Sequence, residues 1–199
     1  MNFARRTATI SFLMLLAVCN VLPFGNAAAP PFLEADRHQI RSTHALRYRI
    51  TLPARFRATA VDTRRDRFNG HPFDISRAAL IDDNAAVMIH AEVVADGSGA
   101  SNYDDLPLAT LDDQPFRTRP SSCQQLSDAD IAGESDLEWL TASGFSPTGP
   151  LAVAQYLAST PDHNAEIVIT LMVRVDHCPD AAAALAGLAK KLLVDRREE

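Results

Sequence analysis

Ala165-Glu166-Ile167-Val168-Ile169-Thr170-Leu171-Met172-Val173-Arg174-Val175-Asp176 is the stretch on which the fold turns. Ala165, Ile167, Ile169, Leu171, Val173 and Val175 fall on one side of an extended chain. Glu166, Thr170, Arg174 and Asp176 fall on the other, with Val168 and Met172 among them. A period of 2 over this length predicts a strand with one face in a core. Upstream, Thr160-Pro161-Asp162-His163-Asn164 is rich in turn formers, so Leu151–Ala158 and Ala165–Asp176 are expected to form a long hairpin.

Working outward, Ala86–Val94 reads as a central strand, with Val87, Ile89, Ala91 and Val93 on one face and Met88, His90, Glu92 and Val94 on the other. Leu46, Tyr48, Ile50 and Leu52 alternate with Arg47, Arg49 and Thr51, and Pro53 ends that strand. Further strands are expected over Phe56–Val61, from about Phe73 through Ile81, and around Trp139 with Leu137 and Leu140. Asp62–Pro72 reads as a polar connection containing the Asn69-Gly70 turn signal. Short helical stretches are expected within 103–114 and over Asp128–Ala132. After Pro179 and Asp180, the spacing of Leu185, Leu188, Ala189, Leu192 and Leu193 predicts an amphipathic helix over 181–194. The fold class is therefore α+β, an antiparallel β-sheet covered by helices, including this C-terminal one.

The first residues read differently. Arg5 and Arg6 precede an apolar run from Ile10 to Leu22, and Asn26-Ala27-Ala28-Ala29 supplies small residues for signal-peptidase cleavage after Ala27 or Ala28. The expected organisation is a signal peptide over 1–28, a flexible leader over 29–43 and a single α+β domain over 44–199. Cys19 within Leu16-Ala17-Val18-Cys19 resembles a lipoprotein box, although Val18 is bulkier than the usual residue there. The mature chain has no segment apolar enough to cross a bilayer as a helix. Its expected location is periplasmic or secreted. In an oxidising compartment Cys123 and Cys178 are expected to form a disulfide.

The formal charge of the whole chain is −6, and loss of Arg5 and Arg6 leaves −8. Residues 32–77 hold ten arginines against five acids, whereas 78–199 hold seven basic residues against twenty acids. An acidic exported chain without a basic–aromatic motif argues against nucleic acid as a partner. The basic stretch Arg64, Arg65, Arg67 and Phe68 is the candidate contact surface for an acidic partner or anionic lipid.

His90 and Glu92, two apart on one strand face, are the candidate catalytic pair, since a neighbouring acid can tune an imidazole for proton transfer. Asp96, Asp104 and Asp105 lack the spacing of a calcium loop. His177 beside a bridged Cys178 cannot form a metal pair. Ser98 in Asp96-Gly97-Ser98-Gly99 lacks nucleophile-elbow spacing. No metal or cofactor is expected.

Tyr48-Arg49-Ile50-Thr51-Leu52-Pro53 followed by Phe56 resembles the opening motif of the Mog1/PsbP-like fold family. The late strand followed by a helix is similar too, although Arg55-Phe56 stands where the family usually has Gly-Trp. The resemblance implies an antiparallel sheet between helices and a non-enzymatic binding or assembly role. Two function classes stand: a periplasmic binding or assembly protein with a protein or envelope component as partner, and a small hydrolase or metal-dependent enzyme with a site involving His90.

Overall fold

The structure is a computed structural model that describes residues 31–197. The expected signal peptide and Cys19 lie outside the described residues. In chain order the elements are β1 (Leu33–Asp36), β2 (Gln39–Ser42), β3 (Tyr48–Thr51), β4 (Arg57–Ala58), β5 (Asp62–Phe68), β6 (His71–Ile81) and β7 (Ala85–Val94). They continue as β8 (Leu108–Leu111), β9 (Gln114–Thr118), β10 (Ser122–Leu126), α1 (Asp128–Ile131), α2 (Ser135–Ala142), β11 (Gly149–Ser159) and β12 (Ala165–Arg174). A 3₁₀ turn at Cys178–Asp180, α3 (Ala181–Ala189) and β13 (Leu193–Arg196) complete the described residues.

Two antiparallel sheets result. The larger follows the order β4-β6-β7-β12-β11-β9-β8, with β5 beside β6 and β10 beside β11; the smaller is β1-β2-β3-β13. The β11–β12 hairpin pairs Leu151 with Arg174 and Ser159 with Glu166, as the alternating pattern requires. Ile89, Ile167, Ile169 and Leu171 on one face of the large sheet pack with Ile40, Ile50 and Leu52 of the small-sheet region. Leu185, Leu188, Leu192 and Val194 close the same core from α3 and β13. Burial of a side chain of this size contributes roughly 1.5–3 kcal/mol each.

Several expectations are corrected. Helices are few, so a sheet covered by helices overstates them: much of one face is covered by a second sheet. Residues 33–42, placed in a flexible leader, form the β1–β2 hairpin, with Ile40 fully buried. Asp62–Phe68 is strand β5 rather than a connection, and Asn69-Gly70 is its two-residue turn, both with positive φ. The helix expected within 103–114 gives way to the β8–β9 hairpin, whose turn residues Asp112 and Asp113 also take positive φ. Trp139 lies in α2, where Leu137 and Leu140 are one helical turn apart rather than strand neighbours. The C-terminal helix ends at Ala189, and Leu193 points outward from β13 while Val194 is buried.

Cys123 and Cys178 are bonded, tying β10 to the 3₁₀ turn before α3. With the two cysteines 55 positions apart, restricting the unfolded chain is worth about 4 kcal/mol.

Candidate functional site

The second face of the large sheet is where the ionisable side chains meet. Register places Arg77 opposite His90, and Ile75 opposite Glu92, across β6–β7. Across β7–β12 it places Glu92 opposite Glu166. Opposed residues in antiparallel strands share a face, so β6, β7 and β12 assemble a polar band from positions up to 89 residues apart. Apolar groups bracket it: Met88, Leu140, Phe145 and Met172 on one side, and Phe73, Ile75 and Val94 on the other.

Helix α2 supplies the carboxylate that organises one end. Asp136, in its first turn, accepts from Arg77 at 2.7 Å and lies 3.4 Å from Arg64. Arg77 also donates to Asp62 at 2.8 Å and to the Ser135 carbonyl at 3.1 Å, and its guanidinium sits 4.9 Å from the Trp139 ring centre. His90 stands between two acids: Nδ1 is 3.2 Å from Glu92 Oε1, and Nε2 is 3.5 Å from Asp136 Oδ2. The Nε2 contact lacks hydrogen-bond geometry, so it is an electrostatic approach only.

The other end is an acid pair. Glu92 and Glu166 are both buried, and the Tyr103 hydroxyl, from the loop after β7, donates to Glu166. Burial pushes the Glu166 carboxyl up to about 8, with the Glu92 charge adding to the shift. Two adjacent buried carboxyls cannot both ionise cheaply, so this pair holds a proton at neutral pH. Burial, followed by the neighbouring Glu166 charge, also raises the Tyr103 phenol. On the opposite side of β12, His44 contacts the Glu166 carbonyl through Nε2 at 2.8 Å, and burial lowers its pKa.

A histidine flanked by carboxylates, with a shared proton nearby, has the components for proton transfer. Access is restricted, however. The side chains of His90 and Glu92 are 12% and 7% exposed. Surface clefts of about 730, 310 and 700 Å³ lie elsewhere and include neither residue.

The basic stretch is distributed along edge strand β5. Arg64 turns toward Ser135 and Asp136. Arg65 makes a two-pronged bond to Asp74 at 2.6 and 2.8 Å, and Arg67 donates to the Gly70 carbonyl. Phe68 is 44% exposed but meets Phe73 edge-on. The four therefore do not converge on one seat.

Among the loop acids, Asp96 contacts His71 Nδ1 at 3.0 Å, and Asp104 faces Arg117 and His163. Among the described residues no group of three His, Cys, Asp or Glu side chains is arranged to hold a metal ion. Among them, too, no helix is long and apolar enough to cross a membrane.

Asp136, Glu166, Arg77 and Tyr103 escaped sequence reading because no spacing links them. The only available signal for Glu166 was its place on the polar side of the β12 alternation. Against this geometry, no family model, curated protein or solved structure matches the chain.

Proposed function

We propose that this chain is an exported binding or assembly module, with the His90–Glu92 band serving structure rather than turnover. The observation that supports this most directly is the low exposure of both side chains within a connected series of polar contacts. A catalytic base must reach its substrate within hydrogen-bond distance, directly or through one water. Here α2 and the Tyr103 loop stand over the pair. The bonded Cys123–Cys178 pair supports export, since such bonds persist mainly in oxidising compartments. The signal-like residues 5–29 support the same location. A Mog1/PsbP-like relationship is part of the proposal and rests on the Tyr48-to-Pro53 motif followed by Phe56 and on the late strand–helix order.

The competing reading is a small periplasmic hydrolase or metal-dependent enzyme using His90. It is favoured by the proton-sharing Glu92–Glu166 pair next to that histidine. Chromogenic ester, phosphate and glycoside substrates, with and without divalent metal, separate the two when assayed with wild type and His90→Ala. The binding-module reading predicts no turnover that depends on His90. A kcat/KM lost in His90→Ala, with the fold intact, overturns it.

A further inference from the structure

The large sheet ends in a strand whose outer edge is open. β8 is its terminal strand, with β9 on the inner side. The Thr118 amide donates to the Pro107 carbonyl at 2.9 Å, which fixes the phase of the ladder. Antiparallel pairs alternate between bonded and unbonded, so Ala109–Phe116 and Leu111–Gln114 exchange hydrogen bonds. Leu108 and Thr110 therefore turn their amides and carbonyls outward. Pro115, opposite Thr110, suits this phase because it has no amide to give. Among the described residues no hydrogen bond reaches those outward groups.

The other long edges are protected against pairing. β5 carries Asp62, Arg64, Arg65, Asp66 and Arg67, and β1 carries Glu34 and Asp36. β13 carries Asp195 and Arg196, and its Val194 amide is taken by the Asp112 carboxylate at 2.7 Å. β10 is anchored by the Cys123–Cys178 bond. Charge and coverage of this kind keep an edge from pairing with a further strand. β8, Leu108-Ala109-Thr110-Leu111, has no charged residue. Leu111 is buried, whereas Leu108 on the opposite face is 69% exposed, the highest value for a large apolar side chain among the described residues.

Charge decides what can lie there. Asp104 and Asp105 precede β8, and Asp112 and Asp113 follow it. Asp104 is engaged by Arg117 and His163, and Asp112 by the Val194 amide. Asp105 and Asp113 are exposed, and their carboxylates have no partner among the described residues. Four aspartates against two arginines, Arg117 and Arg119, leave the edge acidic. A second copy paired antiparallel through Leu108 and Thr110 brings Asp113 of each copy toward Asp105 of the other, which is repulsive. An extended segment with a cation at each end meets carboxylates instead.

We infer that the free edge of β8 docks an extended segment of a partner protein, apolar at its centre and carrying lysine or arginine at its ends. The inference rests on the binding-module reading and supplies its partner class. Main-chain hydrogen bonds to Leu108 and Thr110 give affinity, Leu108 covers an apolar side chain on its own face, and Asp105 and Asp113 select the charge.

The test uses the disulfide-bonded mature chain and a fluorescent peptide of alternating valine and threonine with two lysines at each end. Saturable binding that weakens with salt is expected in fluorescence anisotropy. Methylating the central backbone amides of the peptide removes its donors, and glutamate in place of lysine reverses its charge; each should weaken binding about tenfold or more. Thr110→Pro deletes an outward amide and leaves the bonds to β9, so it should weaken binding about tenfold with the thermal midpoint kept. Should that variant fail to fold, Leu108→Lys charges the same edge with its ladder intact and should repel the peptide. Asp113→Asn, which tolerates the positive φ there, should weaken binding roughly threefold. Glu34→Gln, on β1, should leave it unchanged.

Absence of saturable binding overturns the inference, as does affinity that survives both Thr110→Pro and Leu108→Lys. Equal binding of the glutamate-ended peptide overturns the charge assignment. A dimer of the chain alone, seen by sedimentation and dissolved by Thr110→Pro, overturns the partner assignment in favour of a second copy. Peptide binding untouched by the edge substitutions removes β8 and leaves the binding-module reading in place. His90-dependent turnover is measured independently, so the two fail on different observations.

Discussion

The two faces of the large sheet use the same strands but are held together by different forces. On one face of β7 and β12, Ile89, Ile167, Ile169 and Leu171 sit in a dry apolar core. On the other, Arg77 lies opposite His90 and bonds Asp136, His90 approaches Glu92 and Asp136 electrostatically, and Tyr103 donates to Glu166. Apolar burial stabilises in proportion to area and is indifferent to the identity of the partner. The polar band contributes less net energy per group, because desolvation offsets much of the attraction. What it adds is register. A one-residue slip of β12 sends Glu166 into the apolar layer and Ile167 out of it.

That contrast can be broken by substitution. Ile169→Ala should have the largest effect, a loss of about 3–4 kcal/mol in denaturant unfolding, from lost transfer energy and an unfilled cavity. A loss below about 1 kcal/mol would mean that the apolar face is loosely packed. Arg77→Met should cost less, about 2–3 kcal/mol, because its removal takes the cation from Asp62 and leaves Asp136 only its longer contact to Arg64. Both acids retain partial contact with water, which limits the penalty. Thr170→Val should cost least, under about 1 kcal/mol, since its hydroxyl has only a 3.5 Å contact from Gln155. A larger loss would extend the polar band to Thr170.

The apolar face was legible in the amino-acid order because alternation alone specifies it. Ala165–Arg174 and Ala85–Val94 are strands as the period-2 pattern requires. Edge strands were less legible: β5 is mostly exposed, so Asp62–Phe68 shows no apolar alternation and reads as a polar connection. In β8–β9, short strands meet at Asp112 and Asp113, whose positive φ makes a tight turn that composition alone does not reveal. The helix pattern of 181–194 was half right, because Leu192 stays in the core after the helix has ended.

His90 and Glu92 were visible as neighbours on one strand. Glu166, Asp136 and Tyr103 join them only through cross-strand register and chain folding, which a single sequence does not encode as spacing.

The pH dependence of stability in wild type and Glu166→Gln tests the contrast between the faces most directly. Glu166 has an ordinary value of 4.5, which burial and Glu92 raise to about 8 in the native state. Below the lower value both native and unfolded chains hold the proton. As pH rises, the unfolded chain releases it first, so the Glu166 contribution falls until the native carboxyl also ionises. Glutamine cannot ionise and lacks this fall. His44 gives an opposite trend, since burial lowers its pKa, but it is present in both proteins and cancels in their difference. Urea unfolding from pH 4.5 to 8 should therefore show wild type losing stability relative to Glu166→Gln as pH rises. Parallel profiles, or a wild-type advantage that grows with pH, would contradict a proton-sharing acid pair at one end of the polar face.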